Sequence, residues 1–550
     1  MTETIAGNLL INSRVKVYLI LVFVSLILFF YSAWQVKPVI VEVEASFGLA
    51  SYLKPGYWIG LALLLLTSIF AFLDRELKKE FVFITILLAL GIFLLGIRVF
   101  VEVNAVDATA YYPTAEVKNL LAVGHIDITS PPHIASYYTW PAIHFISAWL
   151  FGVTGLDLML IMKYAPVFWI VCFVFITYAI GKRLQFESNR CFCLCLLSVS
   201  SWLIAAAGYY YARLPAMIFL LTIFMFVVVP RRVFAETIVI ILLSSALVMS
   251  HGLTAVAVIP GLALLALYNK ELRLITLYLL IFGAWYLSQA TATFEIGINA
   301  FTEPLKDIFE LLRAERYQTV ASIARLVNRY SELCYAALYA LLMLGSTILL
   351  LKHKIIGEIR QQVITLFLWT AGVGIVVFWG HGEAVFRTFN YCIVPALCIA
   401  VLSFSSRKLL IPLFLFFVFL SPLANYAGLA GWGQVTTTEL KGTEFFALYV
   451  KPQDSYFYGP GGQLVLYYAP ELVSVPRYDS AFLATSPREV DLSVLDKTHY
   501  VIINKIGSDF RMFSWGVDPY IVWPQTQLGQ RAAVIYHNGT FQIYINHLNE

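Results

Sequence analysis

Four acidic residues lie between residues 101 and 127, directly after a predicted membrane span at 81–100: Glu102, Asp107, Glu116 and Asp127. A carboxylate can accept a proton during catalysis, and charged groups at membrane depth often mark a functional site. We interpret three of these acids as solvated loop residues. We favour Asp107 for chemistry, because the rigid end of the span near Phe100 can hold it in a cavity at the membrane interface.

The composition identifies a membrane protein. Hydrophobic residues fill 60% of the 550 positions and charged residues only 13%, which is far too apolar for a soluble globular chain. Stretches of about 20 apolar residues, enough to cross roughly 30 Å of hydrocarbon as a helix, recur from residue 17 to residue 426. We predict thirteen spans, at 17–35, 55–73, 81–100, 158–180, 191–209, 212–229, 234–250, 253–269, 273–291, 333–351, 363–380, 389–405 and 408–426.

The seven cysteines predict neither disulfides nor a metal site. All of them fall in or beside apolar stretches, and none lies in the polar C-terminal region. Cys191, Cys193 and Cys195 alternate along one predicted span, but on a helix this spacing scatters the thiols. We interpret them as packing residues.

The basic residues between the spans predict the orientation. With the N-terminus in the cytoplasm, every short basic loop falls on the cytoplasmic side, as the positive-inside rule requires. This arrangement needs residues 144–156, HFISAWLFGVTGL, to stay out of the bilayer, and these 13 residues are too few to cross it comfortably. We therefore predict a surface-lying or re-entrant helix. The basic loops also account for the net charge of +4, which indicates no nucleic-acid partner.

Residues 1–429 are predicted to form an all-α polytopic membrane domain. Its two large outer loops lie at 101–157 and 292–332. The second loop has apolar residues at helical spacing between residues 304 and 330, which predicts amphipathic helices at the interface.

Residues 430–550 are predicted to form a second, extracytoplasmic domain. Charged and turn residues return there, and a helical stretch at 438–450 precedes several strand-like segments. The last of these reads as a hairpin that turns at Asn538-Gly539. The pattern is typical of a small α/β or α+β domain.

Cationic side chains at the predicted outer ends of the spans are candidates for binding an anionic substrate. They are Arg213, His251, His381 and Arg387, with Lys163 slightly inside a span. We favour Arg387, because arginine pairs with phosphate oxygens through two parallel hydrogen bonds. Lysine and arginine also snorkel at membrane interfaces without any function, and we interpret His251 mainly as a structural histidine.

The order of these features resembles the GT-C superfamily of integral membrane glycosyltransferases. The first outer loop has an acid near its start, then an amphipathic stretch, the prolines Pro131 and Pro132, aromatic residues and the sequence LFGVTGL at 150–156. The next span ends in the basic sequence YAIGKRL at 178–184. The chain has no WWDYG-like element, which argues against an oligosaccharyltransferase, and no DxD motif beside Asp107 to support a divalent metal.

The resemblance implies a prokaryotic type of enzyme that takes a sugar from a polyprenyl-phosphate-linked donor among the membrane lipids. Asp107 would be the general base, and no cofactor is expected. The acceptor would be an extracytoplasmic glycan, lipid or protein. The substrate-binding candidates are Arg387, His381, Arg213, His251, Lys163 and Glu102.

Two other classes of protein fit part of the pattern. A lipid or oligosaccharide flippase or transporter would also have many spans and an intramembrane lysine such as Lys163. Against this class, the hydropathy shows no internal repeat, and the charged residues gather at one face of the membrane. A sensor or assembly scaffold that displays the C-terminal region would leave the first outer loop unexplained.

Overall fold

A computed structural model describes residues 2–42, 45, 47–74, 76–77, 79–125, 139–201, 210–229, 234–270, 272–290, 358–374, 382–403, 407–427, 434–450, 456–458, 463–468, 499–505, 532–538 and 541–546, with single positions between 327 and 348. These residues are mostly helical, with one small sheet in the C-terminal region. The helices are α1 (Thr2–Val36), α2 (Pro55–Leu73), α3 (Glu80–Val101), α4 (Tyr111–Val123), α5 (Ala142–Thr154), α6 (Leu158–Arg183), α7 (Ser188–Ser201), α8 (Arg213–Val228), α9 (Phe234–Val248), α10 (Gly252–Asn269), α11 (Arg273–Ser288), α12 (Glu358–Gly374), α13 (Gly382–Ser403), α14 (Arg407–Ala427), α15 (Thr437–Tyr449) and α16 (Gln463–Tyr468).

Within the described ranges, five stretches of helix are long and apolar enough to cross a membrane. They are Ser13–Val36 of α1 and the whole of α2, α3, α6 and α10. The predicted span at 55–73 coincides with α2, and that at 81–100 matches α3 to within one residue at each end. Shorter apolar helices, among them α8, α9 and α11, lie at other predicted spans. The chain is a multi-pass membrane protein, and the count of thirteen spans stays a prediction.

Helix α13 begins at Gly382, ahead of the predicted start of its span at residue 389. Glutamate, alanine and arginine, which follow Gly382 in the sequence GEAVFR, are good helix formers, and no residue there breaks a helix. Arg387 therefore lies on a helix, in its second turn.

Helix α5 occupies the stretch that was predicted to lie on the membrane surface. Its 13 residues span about 20 Å at 1.5 Å each, which is shorter than the hydrocarbon layer. His144 and Ser147 are buried on one side, whereas Trp149 and Val153 are more than 60% exposed. Gly155, in a left-handed conformation with φ of 67°, ends the helix. The helix is confirmed, and its position relative to the membrane stays a prediction.

Polar side-chain contacts are found at both ends of the helices. At one end, three ion pairs connect helix ends to neighbouring helices or loops: Arg14–Glu76, Lys182–Glu80 and Arg183–Glu236. All of these residues lie in or beside predicted inner loops. The opposite end of α3 and α6 carries the first outer loop, where the contacts described below are found. This grouping agrees with the predicted division of loops, while the identity of the cytoplasmic end stays a prediction.

The C-terminal region contains a four-stranded sheet with the order β1 (Tyr456–Tyr458), β2 (Tyr500–Asn504), β4 (Phe541–Asn546), β3 (Ala532–His537). β1 pairs parallel with β2, and the other pairs are antiparallel, so the predicted C-terminal hairpin is confirmed. The predicted helix is α15, which begins with a capping box formed by Thr436 and Glu439. It packs tightly on the sheet: a Cβ at Gly442 would lie 2.5 Å from the Phe541 ring.

A buried glutamine connects the C-terminal region to the end of α1. The Gln434 amide donates to the Val39 carbonyl (2.6 Å) and accepts from the Val41 amide (2.8 Å). All three residues are buried, so these hydrogen bonds satisfy backbone groups that water does not reach. A domain boundary at residue 430 stays a prediction, but the residues just after it are attached to the membrane domain.

The substitution Gln434→Ala should weaken this attachment. It leaves two buried backbone groups without their partners, at about 1–3 kcal/mol for each group. We expect a lower unfolding temperature in detergent and faster trypsin cleavage of the C-terminal region, measured by scanning fluorimetry and gel electrophoresis. Gln361→Ala, at an exposed position of α12, is the matched control. Unchanged stability and cleavage in Gln434→Ala would contradict the role given to this residue.

Candidate functional site

The last turns of helix α3 depart from regular α-helical geometry. Residues Ile92–Gly96 form a π turn, and the α-helix resumes at Ile97–Val101. The Tyr57 hydroxyl of α2 donates a hydrogen bond to the Phe93 carbonyl within this turn (2.8 Å). A π turn inserts extra length into the helical repeat, rotates the residues that follow, and occurs frequently at functional sites. The turn that follows it carries Arg98, whose side chain is buried.

Arg98 forms an ion pair with Glu102, one turn further along the chain. The Arg98 Nε atom lies 2.6 Å from Glu102 Oε1, and both residues are no more than 4% exposed. The second oxygen of Glu102 and the Nη2 atom of Arg98 have no hydrogen-bond partner among the described residues. The prediction that Glu102 is a solvated loop acid is therefore wrong, because the chain folds back over the end of α3.

Lys163 of α6 binds the backbone at and just after Glu102. Its amine donates to the Glu102 carbonyl (2.9 Å) and to the Val103 carbonyl (2.7 Å). The last carbonyls of a helix have no partner within the helix, so a side-chain donor satisfies them and fixes the direction in which the chain leaves. The described contacts of Lys163 thus tie α6 to the end of α3.

Asp107 follows five residues later and is also buried, at 4% exposed. Its Oδ1 atom accepts a hydrogen bond from the Thr109 amide (2.8 Å) and caps the short 3-10 helix Ala108–Ala110. Its backbone has φ of 72°, a conformation that strains a residue with a side chain. Such strain persists only where the surrounding structure imposes it, and it is commonly found at functional sites.

Burial raises the pKa of the Asp107 carboxyl above its usual range, while the hydrogen bonds from Thr109 and the charge of Arg98 oppose this effect. A general base works best when its pKa lies near the operating pH, so a raised aspartate pKa suits proton abstraction. Asp107 was predicted to lie in a cavity at the membrane interface; the structure shows that it is buried, and the cavity stays a prediction. The tight turn between α3 and α4 places it inside the protein instead.

The structure tests the predicted solvation of only one of the other two acids of this loop. Glu116 lies on α4 and is 7% exposed, so its interpretation as a solvated acid is wrong. The amphipathic stretch that carries it folds as a helix whose first turns pack inward. Asp127 lies outside the described residues.

The C-terminal region covers this loop. The Asn104 amide donates to the Val435 carbonyl (2.9 Å), and the Tyr111 ring meets the Tyr467 ring edge to face at 5.5 Å. The Lys118 amine of α4 lies 3.3 Å from the centre of the Tyr467 ring. Such an arrangement combines apolar burial with a cation–π attraction. Helix α16 and the residues before α15 therefore form part of the surroundings of Asp107.

The remaining predicted site residues lie elsewhere at the same end of the helices or cannot be placed. His251 caps α10 and accepts a hydrogen bond from the Thr254 amide (3.3 Å), which agrees with its structural interpretation. Arg213 is buried at the first residue of α8. Arg387 lies on α13 without a described side chain, and His381 lies outside the described residues.

Sequence reasoning missed Arg98, although two signals were present. It is a charged residue inside a predicted span, and such residues usually mark a site. It also precedes Glu102 by four residues, which is the spacing of an ion pair on one face of a helix.

The described residues contain no group of three or more histidine, cysteine or acidic side chains arranged to hold a metal ion. The three alternating cysteines are buried without a disulfide, as helix packing requires.

No protein-family model matches the chain, and no curated protein sequence does. Among solved structures it is similar to an oligosaccharyltransferase of Archaeoglobus fulgidus with zinc and sulfate, at 13% identity and a TM-score of 0.49, over 84% of this chain and 73% of that one. It is also similar to ArnT of Cupriavidus metallidurans bound to undecaprenyl phosphate, at 12% identity and a TM-score of 0.48, over 84% of this chain and 97% of that one. The apo state of the same ArnT gives 11% identity and a TM-score of 0.47, over 85% and 98%. At these identities the likeness concerns the course of the backbone alone.

Proposed function

We propose that this chain is a membrane glycosyltransferase that moves a sugar from a polyprenyl-phosphate-linked donor to an acceptor hydroxyl at the outer face of the membrane. The observation that carries the proposal is Asp107. It is a buried carboxylate on strained backbone, a few residues beyond a helix that can cross the membrane. A carboxylate in this place serves as the general base of the transfer.

The reaction is one displacement at the anomeric carbon of the donor sugar. Asp107 accepts the proton of the acceptor hydroxyl as that oxygen attacks the carbon. A new carbon–oxygen bond forms while the bond between the carbon and the phosphate oxygen breaks. The lipid phosphate departs with the electron pair of that bond, and the proton stays on Asp107 until water removes it.

The membrane supplies the donor. Nucleotide sugars are confined to the cytoplasm, so an enzyme that acts at the outer face takes its sugar from a lipid carrier. Exposed Trp149, Phe145 and Val153 on α5 give the first outer loop an apolar side, as a helix at the membrane interface needs. A polyprenyl chain in the outer leaflet would approach the site along this side.

The departing phosphate needs positive charge. Arg387, in the second turn of α13, binds the phosphate through paired hydrogen bonds in this proposal. Arg213, at the N-terminus of α8, adds its own charge to the partial positive charge of the helix end. His251, the N-terminal cap of α10, and His381, which precedes α13 in the sequence, are further candidates. The described contacts of Lys163 and Glu102 are internal, so we assign them to supporting the loop that carries Asp107.

The central test replaces Asp107 by asparagine, which keeps the size and removes the proton acceptor. We expect the transfer rate to fall by roughly 100- to 10,000-fold. The assay measures release of free polyprenyl phosphate from purified polyprenyl-phosphate hexoses and pentoses, with membranes lacking the protein as the source of acceptor. The matched control is Asp157→Asn, an exposed helix cap at the start of α6 where asparagine also caps.

The pH dependence of the transfer rate is a second test of Asp107. The base must be ionised, and burial raises the pKa of Asp107, so activity should be lost as pH falls through a midpoint above the ordinary aspartate value of about 4. Full activity in Asp107→Asn at every pH would remove the base from the mechanism. No release of polyprenyl phosphate by the unsubstituted protein would instead favour a flippase or transporter, which breaks no bond to the sugar and needs no general base.

Arg387 is tested by comparing alanine with lysine. Arg387→Lys keeps the charge but loses the paired donors, so it should retain more transfer than Arg387→Ala while remaining below the unsubstituted protein. Rates are compared at equal protein level in the same release assay, and Arg190→Ala, an exposed position at the start of α7, is the control. Unchanged rates in both variants would mean that Arg387 only anchors its helix at the membrane interface.

A further inference from the structure

His251, the N-terminal cap of α10, is the first of three side chains that hydrogen bonds link in a row. Its Nδ1 atom lies 2.8 Å from the Thr254 hydroxyl oxygen, and that oxygen lies 2.9 Å from the hydroxyl oxygen of Tyr391 on α13. Thr254 and Tyr391 are fully buried, and His251 is 9% exposed. Side-chain hydrogen bonds thus connect the start of α10 to α13.

The direction of these hydrogen bonds follows from the backbone amide of Thr254. That N–H donates to His251 Nδ1 (3.3 Å), so Nδ1 is an acceptor and carries no hydrogen. The Thr254 hydroxyl contacts the same nitrogen and must therefore donate its single hydrogen to it. The Thr254 oxygen in turn accepts the hydrogen of the Tyr391 hydroxyl. The hydrogen bonds all run one way, from Tyr391 through Thr254 to His251.

This direction determines the tautomer of His251. A neutral imidazole carries one hydrogen, and a nitrogen that accepts hydrogen bonds leaves that hydrogen on the other nitrogen. Neutral His251 therefore has its hydrogen on Nε2, which makes Nε2 a hydrogen-bond donor. The opposite tautomer would set one N–H against the Thr254 N–H and break the cap of α10.

The backbone around His251 is packed against the first outer loop. A Cβ at Gly252, the next residue, would lie 2.6 Å from the Trp140 ring, so only glycine fits there without a shift. The Ala142 amide at the start of α5 donates to the Met249 carbonyl (3.1 Å). The cap is therefore held on both sides by the loop that also carries Asp107.

The same hydrogen-bonded residues connect the elements that carry the two arginines proposed to bind the lipid phosphate. The His251 ring meets the Tyr211 ring edge to face, with 6.4 Å between their centres, and Arg213 begins α8 two residues later. Tyr391 lies one helical turn after Arg387, on the same face of α13. His251 thus lies between the start of α8 and the first turns of α13.

We propose that Thr254 and Tyr391 are positioning residues that keep the hydrogen of His251 on Nε2, and that this N–H is a hydrogen-bond donor for the lipid phosphate. The departing phosphate takes the electron pair of the broken bond and is an anion, so a donor stabilises it without giving up its hydrogen. His251 then binds the phosphate and is not a general acid. The tautomer is a property of the fold, and its role toward the phosphate rests on the proposed function.

The tautomer is measured by nitrogen-15 NMR of the full chain, labelled at histidine, in lipid bilayers at about pH 8, where an imidazole of ordinary pKa is neutral. The signals of His251 are those missing from His251→Asn, and couplings to the ring hydrogens distinguish the two nitrogens. We expect Nε2 to give the signal of a protonated nitrogen and Nδ1 that of an unprotonated one. The reverse assignment would overturn the proposal.

Removing either hydroxyl should disturb this tautomer. Thr254→Val removes one donor to Nδ1 with little change of shape, so the second tautomer should appear beside the first. Thr254→Ser keeps the hydroxyl and should restore the original signals. Tyr391→Phe should act in the same direction as Thr254→Val. Unchanged signals in both Thr254→Val and Tyr391→Phe would overturn the positioning role.

Two matched controls remove hydroxyls that lie outside this row of hydrogen bonds. The Thr222 hydroxyl donates to a carbonyl within α8, and the Tyr278 hydroxyl donates to the Ala255 carbonyl, next to Thr254 on α10. Thr222→Val and Tyr278→Phe should leave the His251 signals unchanged. A change in both controls as large as in Thr254→Val would mean that the tautomer responds to any loss of packing, and would overturn the proposal.

The ligand is tested by the binding of undecaprenyl phosphate to the full chain in nanodiscs. Asparagine also caps helices, so His251→Asn keeps the cap but lacks the Nε2 hydrogen. We expect its affinity for the lipid to fall about tenfold, which is typical for loss of a hydrogen bond to a charged group. In the unsubstituted protein, the Nε2 signal should move when the lipid is added. Equal affinity in His251→Asn and an unmoved signal would overturn the role toward the phosphate.

A double variant shows whether Tyr391 acts through His251. Tyr391→Phe should lower the affinity for undecaprenyl phosphate in the unsubstituted protein, but cause no further loss in His251→Asn, because the donor that it positions is already absent. A purely structural role for Tyr391 would give the same loss in both backgrounds, and that result would contradict the proposal.

The release assay separates this inference from the proposed function. Release of lipid phosphate by a protein whose His251 carries its hydrogen on Nδ1 would keep the proposed function and refute the inference. The expected tautomer and lipid binding, without any release of lipid phosphate from the sugar donors, would keep the inference and refute the proposed function.

Discussion

The burial of an ion pair at the end of α3 is the constraint on which this end of the protein, the end predicted to face outward, depends. Arg98 and Glu102 lie where water cannot solvate them, so each needs the other. Removing one partner of such a pair leaves an isolated buried charge, at a cost of about 3–5 kcal/mol. The first outer loop must therefore fold over this pair, and the position of Asp107 follows from the path of the chain around it.

Several distant segments close over that pair. Lys163 of α6 caps the backbone at the end of α3, and Asn104 and Gln434 join the C-terminal region to the C-terminal ends of α3 and α1. The Tyr467 ring then packs between Tyr111 and Lys118. The C-terminal region is thus part of the walls around the candidate site. This arrangement gives the polar C-terminal region a structural role beside the candidate site.

The sequence predicted the five long apolar helices among the described residues well, because an apolar stretch of about 20 residues meets the length that a membrane imposes. The count of thirteen spans stays a prediction. The C-terminal hairpin was equally readable from Asn538-Gly539 between two alternating segments. The burial of Glu102 and Glu116 was not readable, since it depends on α4 and on a region more than 300 residues further along the chain folding over the loop. The π turn before Arg98 was not predicted from the sequence either; the hydrogen bond to the Phe93 carbonyl within it comes from Tyr57 of another helix.

In the proposed reaction the acceptor hydroxyl meets Asp107 while cations at the same end of the helices bind the lipid phosphate. A cryo-electron microscopy structure with a non-transferable polyprenyl-phosphonate sugar would show where the donor binds. We expect the sugar beside Asp107, with an acceptor or water oxygen about 3 Å from its carboxylate. A sugar bound at the opposite end, near Arg14 and Lys182, or inside a passage open to both sides of the membrane, would contradict it.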